Sequence, residues 1–198
     1  MNMLTEPINQ SLRYRNRTYR LNCSYDNVLE VQRLYREKDL GDMDKAMKAL
    51  EMLVCSRMKL KFLRPSWKLE LLELIVKEHI ELPKRPPVGR QKKTVDFEQD
   101  SDYIYASFME AYGLDLVDCQ GKLHWKKFMA LFQGLPEKTK IKEVMRIRAM
   151  DMPEAGKHNQ KEIQNIMELK SYYALPVEGG GGKQGLDSLF GALERMAT

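Results

Sequence analysis

Apolar residues recur at helical spacing along most of the chain and alternate with polar residues in one short stretch. This stretch covers residues 12–22 and reads LRYRNRTYRLN, so arginines alternate with leucine and tyrosine on both sides of Asn16. A period of two is typical of a half-buried strand, and asparagine favours a tight turn. The pattern predicts a short β-hairpin with one apolar face. Because an isolated hairpin is marginally stable, it must pack on the next elements of the chain.

Three helices are predicted after the hairpin, completing a first unit at residues 1–82. Ser24 is placed to cap the first helix and Asp42 to cap the second, after a break at Gly41. Pro65 and Ser66 open the third helix. The predicted apolar stripes are Val28, Val31, Leu34 and Tyr35; Met43, Met47, Leu50, Leu53 and Val54; and Trp67, Leu71, Leu74, Ile75 and Ile80. Spacing of this kind gives each helix one buried face.

The stretch from Asp96 to Met150 has the clearest helical periodicity. Asp96 and Gln99 match a capping box that would begin a helix, and Gly113 is a natural stop. Pro136 suits the first turn of a later helix. The predicted buried positions are Ile104, Phe108 and Ala111; Trp125, Phe128, Met129 and Phe132; and Ile141, Val144, Met145 and Ile147. The sequence therefore predicts a central helical unit at residues 96–176 with an aromatic core.

A basic segment rich in proline separates these two units. Residues 83–95 carry prolines and a glycine that prevent regular structure, so we predict a flexible linker. Its candidate contact patch consists of Lys84, Arg85, Arg90, Lys92 and Lys93. A patch of this kind can bind an acidic partner or a phosphate backbone. We favour a solvated connector instead, because acidic residues follow at once from Asp96, and we do not expect nucleic-acid binding.

The C-terminal segment, residues 177–198, is predicted to be a tethered helix. Before it, Asn159 and Glu162 match a capping box for a helix that ends near Pro176. Its predicted apolar stripe is Ile163, Ile166, Met167 and Leu169. Four consecutive glycines at residues 179–182 then form a flexible tether. The candidate partner-binding residues beyond the tether are Leu186, Leu189, Phe190, Leu193 and Met196. An amphipathic helix on a tether suits docking into a groove, and the alternative is that it folds back on its own domain.

Composition and motifs narrow the function further. No apolar run approaches the roughly 20 residues of a membrane helix, and the N-terminal residues do not resemble a signal peptide, so we expect a cytoplasmic protein. The net charge of +5 is modest. The chain has no phosphate-binding loop, no nucleophile elbow and no zinc-protease motif. We therefore predict that the protein is not an enzyme and needs no cofactor.

Cysteine and histidine are scattered along the chain and have no metal-ligand spacing. These residues are Cys23, Cys55 and Cys119, with His79, His124 and His158. We predict buried free thiols and no metal site. A calcium loop at residues 118–121 is also rejected, because Leu116 and Lys127 would occupy its first and last ligand positions, where calcium requires acidic residues.

Several strings in the chain carry a resemblance to a known family. They are YRLNCSYDNVLEV at residues 19–31, DYIYASFMEAYGLDL at 102–116, QGKLHWKKFMALFQGLPEKT at 120–139, Ile147-Arg148, and ELKSYYALP at 168–176. On these strings the chain resembles the "gene product fifteen" family of Gram-positive bacteriophages over residues 12–176. The linker and the tail after Pro176 look like the variable parts.

The resemblance implies a role in tail morphogenesis. Genes of this family typically lie between those for the tail tube protein and the tape measure protein, where long-tailed phages encode tail assembly chaperones. The expected function is a chaperone that binds the tape measure protein, with the tail tube protein as a further partner and a homo-oligomer left open. It would act in the host bacterial cytoplasm and be absent from the mature virion. The alternatives are a structural tail or connector subunit, and a nucleic-acid-binding protein that uses the basic linker.

Overall fold

The structure, a computed structural model, describes residues 3–83, 93–153 and 159–175. Within these ranges it contains eight α-helices and one two-stranded sheet, so the predicted mainly α class is confirmed. Contacts divide the described residues into two compact units. The first unit contains residues 3–83 and 117–131, and the second contains residues 93–116, 132–153 and 159–175. The sequence pattern instead grouped all of 96–176. The division of the chain into units that was predicted from the sequence stays a prediction.

The N-terminal hairpin is present where the alternating pattern predicts it. Strands β1 (Ser11–Tyr14) and β2 (Arg17–Arg20) pair antiparallel, with Leu12 opposite Tyr19. Arg15 and Asn16 have φ angles of 44° and 62°, the left-handed values that a tight two-residue hairpin turn requires. Apolar side chains on one face of the hairpin are buried, and its arginines are exposed. Burial of that face holds the hairpin on the first unit.

Four helices and a π-helical turn come next in the first unit. They are α1 (Tyr25–Arg36), α2 (Asp42–Leu53), α3 (Arg57–Leu60), α4 (Pro65–Ile75) and the π-helical turn Val76–Ile80. Helix α1 packs on α2, and α2 packs on α4. The buried face of α1 matches its predicted stripe. In the stripe of the third helix, Leu71, Ile75 and Ile80 are buried, but Trp67 and Leu74 are only half-buried. The sequence did not predict α3 or the π-helical turn, because each is too short to show a period.

Helix starts in the first unit differ from the predicted caps. Ser24 does occupy the N-cap of α1, but its hydroxyl donates to Asn22 Oδ1 at 2.9 Å instead of capping the helix. Gly41 is the N-cap of α2, and Asp42 is the first helical residue. Met43, predicted to be buried, is exposed, because α2 turns its alanines and leucines toward the core.

The second unit contains α5 (Ser101–Tyr112), α7 (Lys140–Ala149) and α8 (Gln160–Tyr172), while α6 (Trp125–Gln133) crosses the boundary at residue 131. Helix α7 packs on both α5 and α8. The Ser107 hydroxyl of α5 donates to the Tyr103 carbonyl and accepts a hydrogen bond from the Ile141 amide at 3.1 Å. That amide lies in the first turn of α7 and has no partner within its own helix. A side chain of α5 therefore provides the hydrogen-bond acceptor for a backbone amide at the start of α7.

Two predicted helix starts in this unit shift along the chain. Asp96 Oδ1 accepts hydrogen bonds from the amides of Glu98 and Gln99, but it caps a turn, and α5 begins only at Ser101. Pro136 lies in a turn before α7, whose N-cap is Thr139. In both places a short turn precedes the helix. The same residue types favour a turn and the start of a helix, so the sequence does not distinguish the two.

Gly113 ends α5 in the left-handed region, with φ of 61°. A Cβ added there would meet no atom within 4 Å, so Gly113→Ala introduces backbone strain without a clash. We expect the free energy of unfolding to fall by about 1–2 kcal/mol, measured by urea denaturation. Gly113→Asn is the control, because asparagine adopts the left-handed region more readily than alanine and should lose less stability. Equal losses in the two variants would contradict this account.

Candidate functional site

The two interaction sites predicted from the sequence lie largely outside the described residues. The five apolar residues of the C-terminal segment, from Leu186 to Met196, all fall there. So do Lys84, Arg85, Arg90 and Lys92 of the basic patch. Lys93 is described, and its ammonium lies 3.0 Å from the buried carboxylate of Asp96. This lysine is therefore engaged within the protein.

Helix α8 presents apolar side chains to solvent. None of its residues is buried, although its periodicity predicts a stripe of Ile163, Ile166, Met167 and Leu169. The exposed fractions are 56% for Met167, 44% for Leu169 and 76% for Tyr172. Ile163 and Ile166 are half-buried. Exposed apolar residues grouped on one helix can contribute to a surface that binds a partner.

A buried arginine anchors the C-terminal end of α8. Arg148, on α7, donates from two nitrogens to the two carboxylate oxygens of Asp100, at 2.6 and 2.8 Å. It also donates to the carbonyls of Tyr173 and Thr94. The side chains of Arg148 and Asp100 are 9% and 1% exposed. Such a paired, bidentate arrangement is both strong and geometrically specific.

Tyr173 is held from several sides. Lys140 donates to its hydroxyl at 2.8 Å, and the ring of Tyr103 meets its ring edge-on. Lys170 in α8 donates to the Arg148 carbonyl at 3.0 Å. Polar contacts thus hold the C-terminal end of α8, a helix with little apolar burial. The helix can present its exposed residues in a defined orientation.

A second candidate site lies in the first unit and was missed by the sequence analysis. One ligand atom each from Cys23, His79 and His124 lies within 4.8 Å of the others. All three side chains are buried, with exposed fractions of 3%, 7% and 3%. They are far apart in sequence, so no spacing signal could have found them. The prediction of buried thiols holds for Cys23 and is wrong for Cys55, which is exposed, while Cys119 is half-buried.

Hydrogen bonds between backbone segments hold this cluster together. The Trp125 amide donates to the Cys23 carbonyl at 2.8 Å, and the Tyr25 amide donates to the Leu123 carbonyl at 2.9 Å. The Trp125 indole donates to the Ile80 carbonyl at 3.0 Å. These bonds join the backbone near His124 to the backbone near Cys23 and near His79. The three side chains therefore converge because of tertiary structure.

Burial sets the protonation of the cluster. Desolvation lowers the pKa of His124 to about 4, with help from the nearby His79, and it also lowers the pKa of His79. Desolvation raises the pKa of the Cys23 thiol to about 12. Burial therefore favours the uncharged form of both imidazoles and the protonated form of the thiol. Neutral imidazole is the form that binds metal ions.

Comparison with known proteins identifies the chain. The family model described as Bacteriophage Gp15 protein matches residues 4–175. The chain belongs to this family. It is therefore a bacteriophage protein, and the resemblance seen in its sequence is confirmed. No curated protein and no solved structure matches it.

Both candidate sites of this Gp15-family protein lie within the matched region. Arg148, Lys170 and Tyr173 fall in strings that carry the resemblance, as do Cys23 and His124. None of the helices in the described ranges is long and apolar enough to cross a membrane. The expectation that the protein is not an enzyme stays a prediction.

Proposed function

We propose that this Gp15-family protein is a non-catalytic tail assembly chaperone that binds the tape measure protein of its phage. The observation that carries the proposal is α8, a helix fixed by polar contacts that exposes Met167, Leu169 and Tyr172 on a phage protein. A tape measure protein is long, largely helical and prone to aggregation. A chaperone for it needs apolar surface that is accessible yet held in place.

The composition also supports a binding role. The chain has 13 methionines, and methionine adapts well to varied apolar partners. The candidate C-terminal residues Leu186, Leu189, Phe190, Leu193 and Met196 would supply a second contact in the same role. The pairing of Lys93 with Asp96 favours a connector over a nucleic-acid contact for the basic segment. We place the protein in the host cytoplasm and expect it to be missing from mature virions.

The decisive test is co-expression of the full chain with the tape measure protein of the same phage, followed by pull-down. A version ending at Gly179 reports on the C-terminal segment. The pair Leu169→Ser and Tyr172→Ser reports on α8, and Lys161→Ser with Asn165→Ser is its control, because these two polar residues are exposed on the same helix. We expect the α8 pair to weaken binding by at least about tenfold, and the control pair to leave it unchanged.

The outcomes separate the remaining alternatives. If only the truncation fails, the contact lies beyond residue 179 and α8 is dispensable. If the full chain neither binds nor solubilises the tape measure protein, the chaperone proposal is wrong. Mass spectrometry of purified particles would then decide for a structural tail or connector subunit, which must be present there. Binding to DNA or RNA that falls steeply with salt would favour the basic segment instead.

A further inference from the structure

We propose that Cys23, His79 and His124 form a metal-binding site in the first unit that takes Zn²⁺. Thiolates and neutral imidazoles are both ligands of Zn²⁺, which usually takes four ligands in a tetrahedron. The protein supplies three of them, and the fourth position is left for water or a partner's side chain. Nothing in the proposed chaperone function assigns this site.

An unpartnered buried nitrogen supports the proposal independently of the clustering. His124 Nδ1 accepts a hydrogen bond from the Lys126 amide at 3.1 Å. Nε2 on the same ring is buried and has no hydrogen-bond partner among the described residues. Buried polar atoms nearly always have a partner, and an ion is one explanation for an exception. A cation coordinated by Nε2 would give this nitrogen a partner.

The scaffold around the cluster is already in place. Ser24 and His124 form an antiparallel β-bridge, and the Trp125 amide and indole bind the backbone at Cys23 and Ile80. The positions of the ligand residues are thus fixed before any metal binds, which raises affinity by preorganisation. Ligand atoms within 4.8 Å must close to roughly 3.5 Å, since the metal–ligand bonds are about 2.0–2.3 Å long. Side-chain rotation can supply a closure of this size.

Three features oppose binding. The first is burial, which raises the pKa of the Cys23 thiol to about 12 and so disfavours the thiolate. Coordination through Nε2 places the ring proton on Nδ1, so the hydrogen bond from the Lys126 amide must break. The Lys126 ammonium also lies close enough to lower the pKa of both histidines. The Glu78 carboxylate acts against Lys126 at His79, whose pKa it raises, and the Lys126 ammonium donates to the Glu78 carbonyl. The thiolate formed on binding removes one unit of the added positive charge.

The binding step has a defined proton balance. The protonated Cys23 thiol and Zn²⁺ give a zinc thiolate and one proton, which passes to solvent. Both histidines coordinate as neutral imidazoles, so the proton counted here comes from the thiol. We therefore expect about one proton released per zinc bound, measurable in weakly buffered solution.

The test uses the full chain, stripped with a chelator and titrated with Zn²⁺ and with Co²⁺ as a spectroscopic probe. We expect one equivalent of Zn²⁺ to bind and to raise the melting temperature. Co²⁺ should give a thiolate-to-metal charge-transfer band. The double variant Cys55→Ser and Cys119→Ser keeps Cys23 as the sole thiol and should retain the band. Cys23→Ser should abolish the band and weaken Zn²⁺ binding at least tenfold. His79→Gln should also weaken Zn²⁺ binding at least tenfold.

Two results would overturn the site. One is the absence of stoichiometric binding by the wild-type chain. The other is loss of the band in the double Cys55→Ser and Cys119→Ser variant, because the surface thiols would then be the ligands. The double variant leaves the buried cluster untouched, so it decides the question even if Cys23→Ser does not fold. Circular dichroism of each variant separates failure to fold from failure to bind.

Discussion

Arg148→Met is expected to lower the free energy of unfolding by about 3–5 kcal/mol. The substitution keeps most of the apolar stem but removes the charge that faces the buried carboxylate of Asp100. Asp100 would retain the hydrogen bond from the Asp96 amide at 2.8 Å, which does not neutralise it. The loss of the bond to the Tyr173 carbonyl would also release the end of α8. Urea denaturation followed by circular dichroism measures the change.

Two further variants identify the cause. Asp100→Asn added to Arg148→Met removes the unpaired charge, so we expect the double variant to be more stable than Arg148→Met alone. Arg146→Met is the matched control, because Arg146 is exposed on the same helix, and its effect should stay within about 0.5 kcal/mol. If Arg148→Met behaves like Arg146→Met, the pair does not anchor α8. If Arg148→Met loses both stability and tape measure binding, the anchoring of α8 by Arg148 also matters for function.

Trp125→Ala is expected to destabilise the first unit by a similar amount, about 3–5 kcal/mol. Trp125 is fully buried at the start of α6 and stacks on Phe128, which in turn stacks on Tyr25. Removing the indole leaves a large cavity and removes the hydrogen bond that the indole donates to the Ile80 carbonyl. The variant thus loses packing between α6, α1 and the π-helical turn. Thermal and urea unfolding measure the loss.

Trp125→Phe divides this effect into two parts. Phenylalanine keeps much of the volume but cannot donate to the Ile80 carbonyl, so we expect a smaller loss of about 1–3 kcal/mol. Lys127→Ala on the exposed side of α6 is the control and should change stability by no more than about 0.5 kcal/mol. A loss in Trp125→Ala no greater than in Lys127→Ala would show that the indole is not central to the core.

The candidate sites were not equally accessible from the sequence. Tyr172, Tyr173 and Arg148 stand in strings that carry the family resemblance, but no residue pattern indicates that one arginine joins α7, α8 and the turn at Asp100. Likewise, Cys23 and His124 meet only because a β-bridge at Ser24 joins distant segments. Periodicity reports which face of a helix is apolar. It does not report which distant polar groups share that face.

Sequence alone determined the helical class, the hairpin and most helix positions of this protein. Apolar periods of two and 3.6 are local signals, and so are the turn at Asn16 and the stop at Gly113. Tertiary structure decided where helices begin and which apolar residues remain exposed. Ser107 caps α7 from another helix, and Leu169 stays half in solvent because little packs against α8. These outcomes depend on groups distant in sequence, so a local pattern cannot contain them.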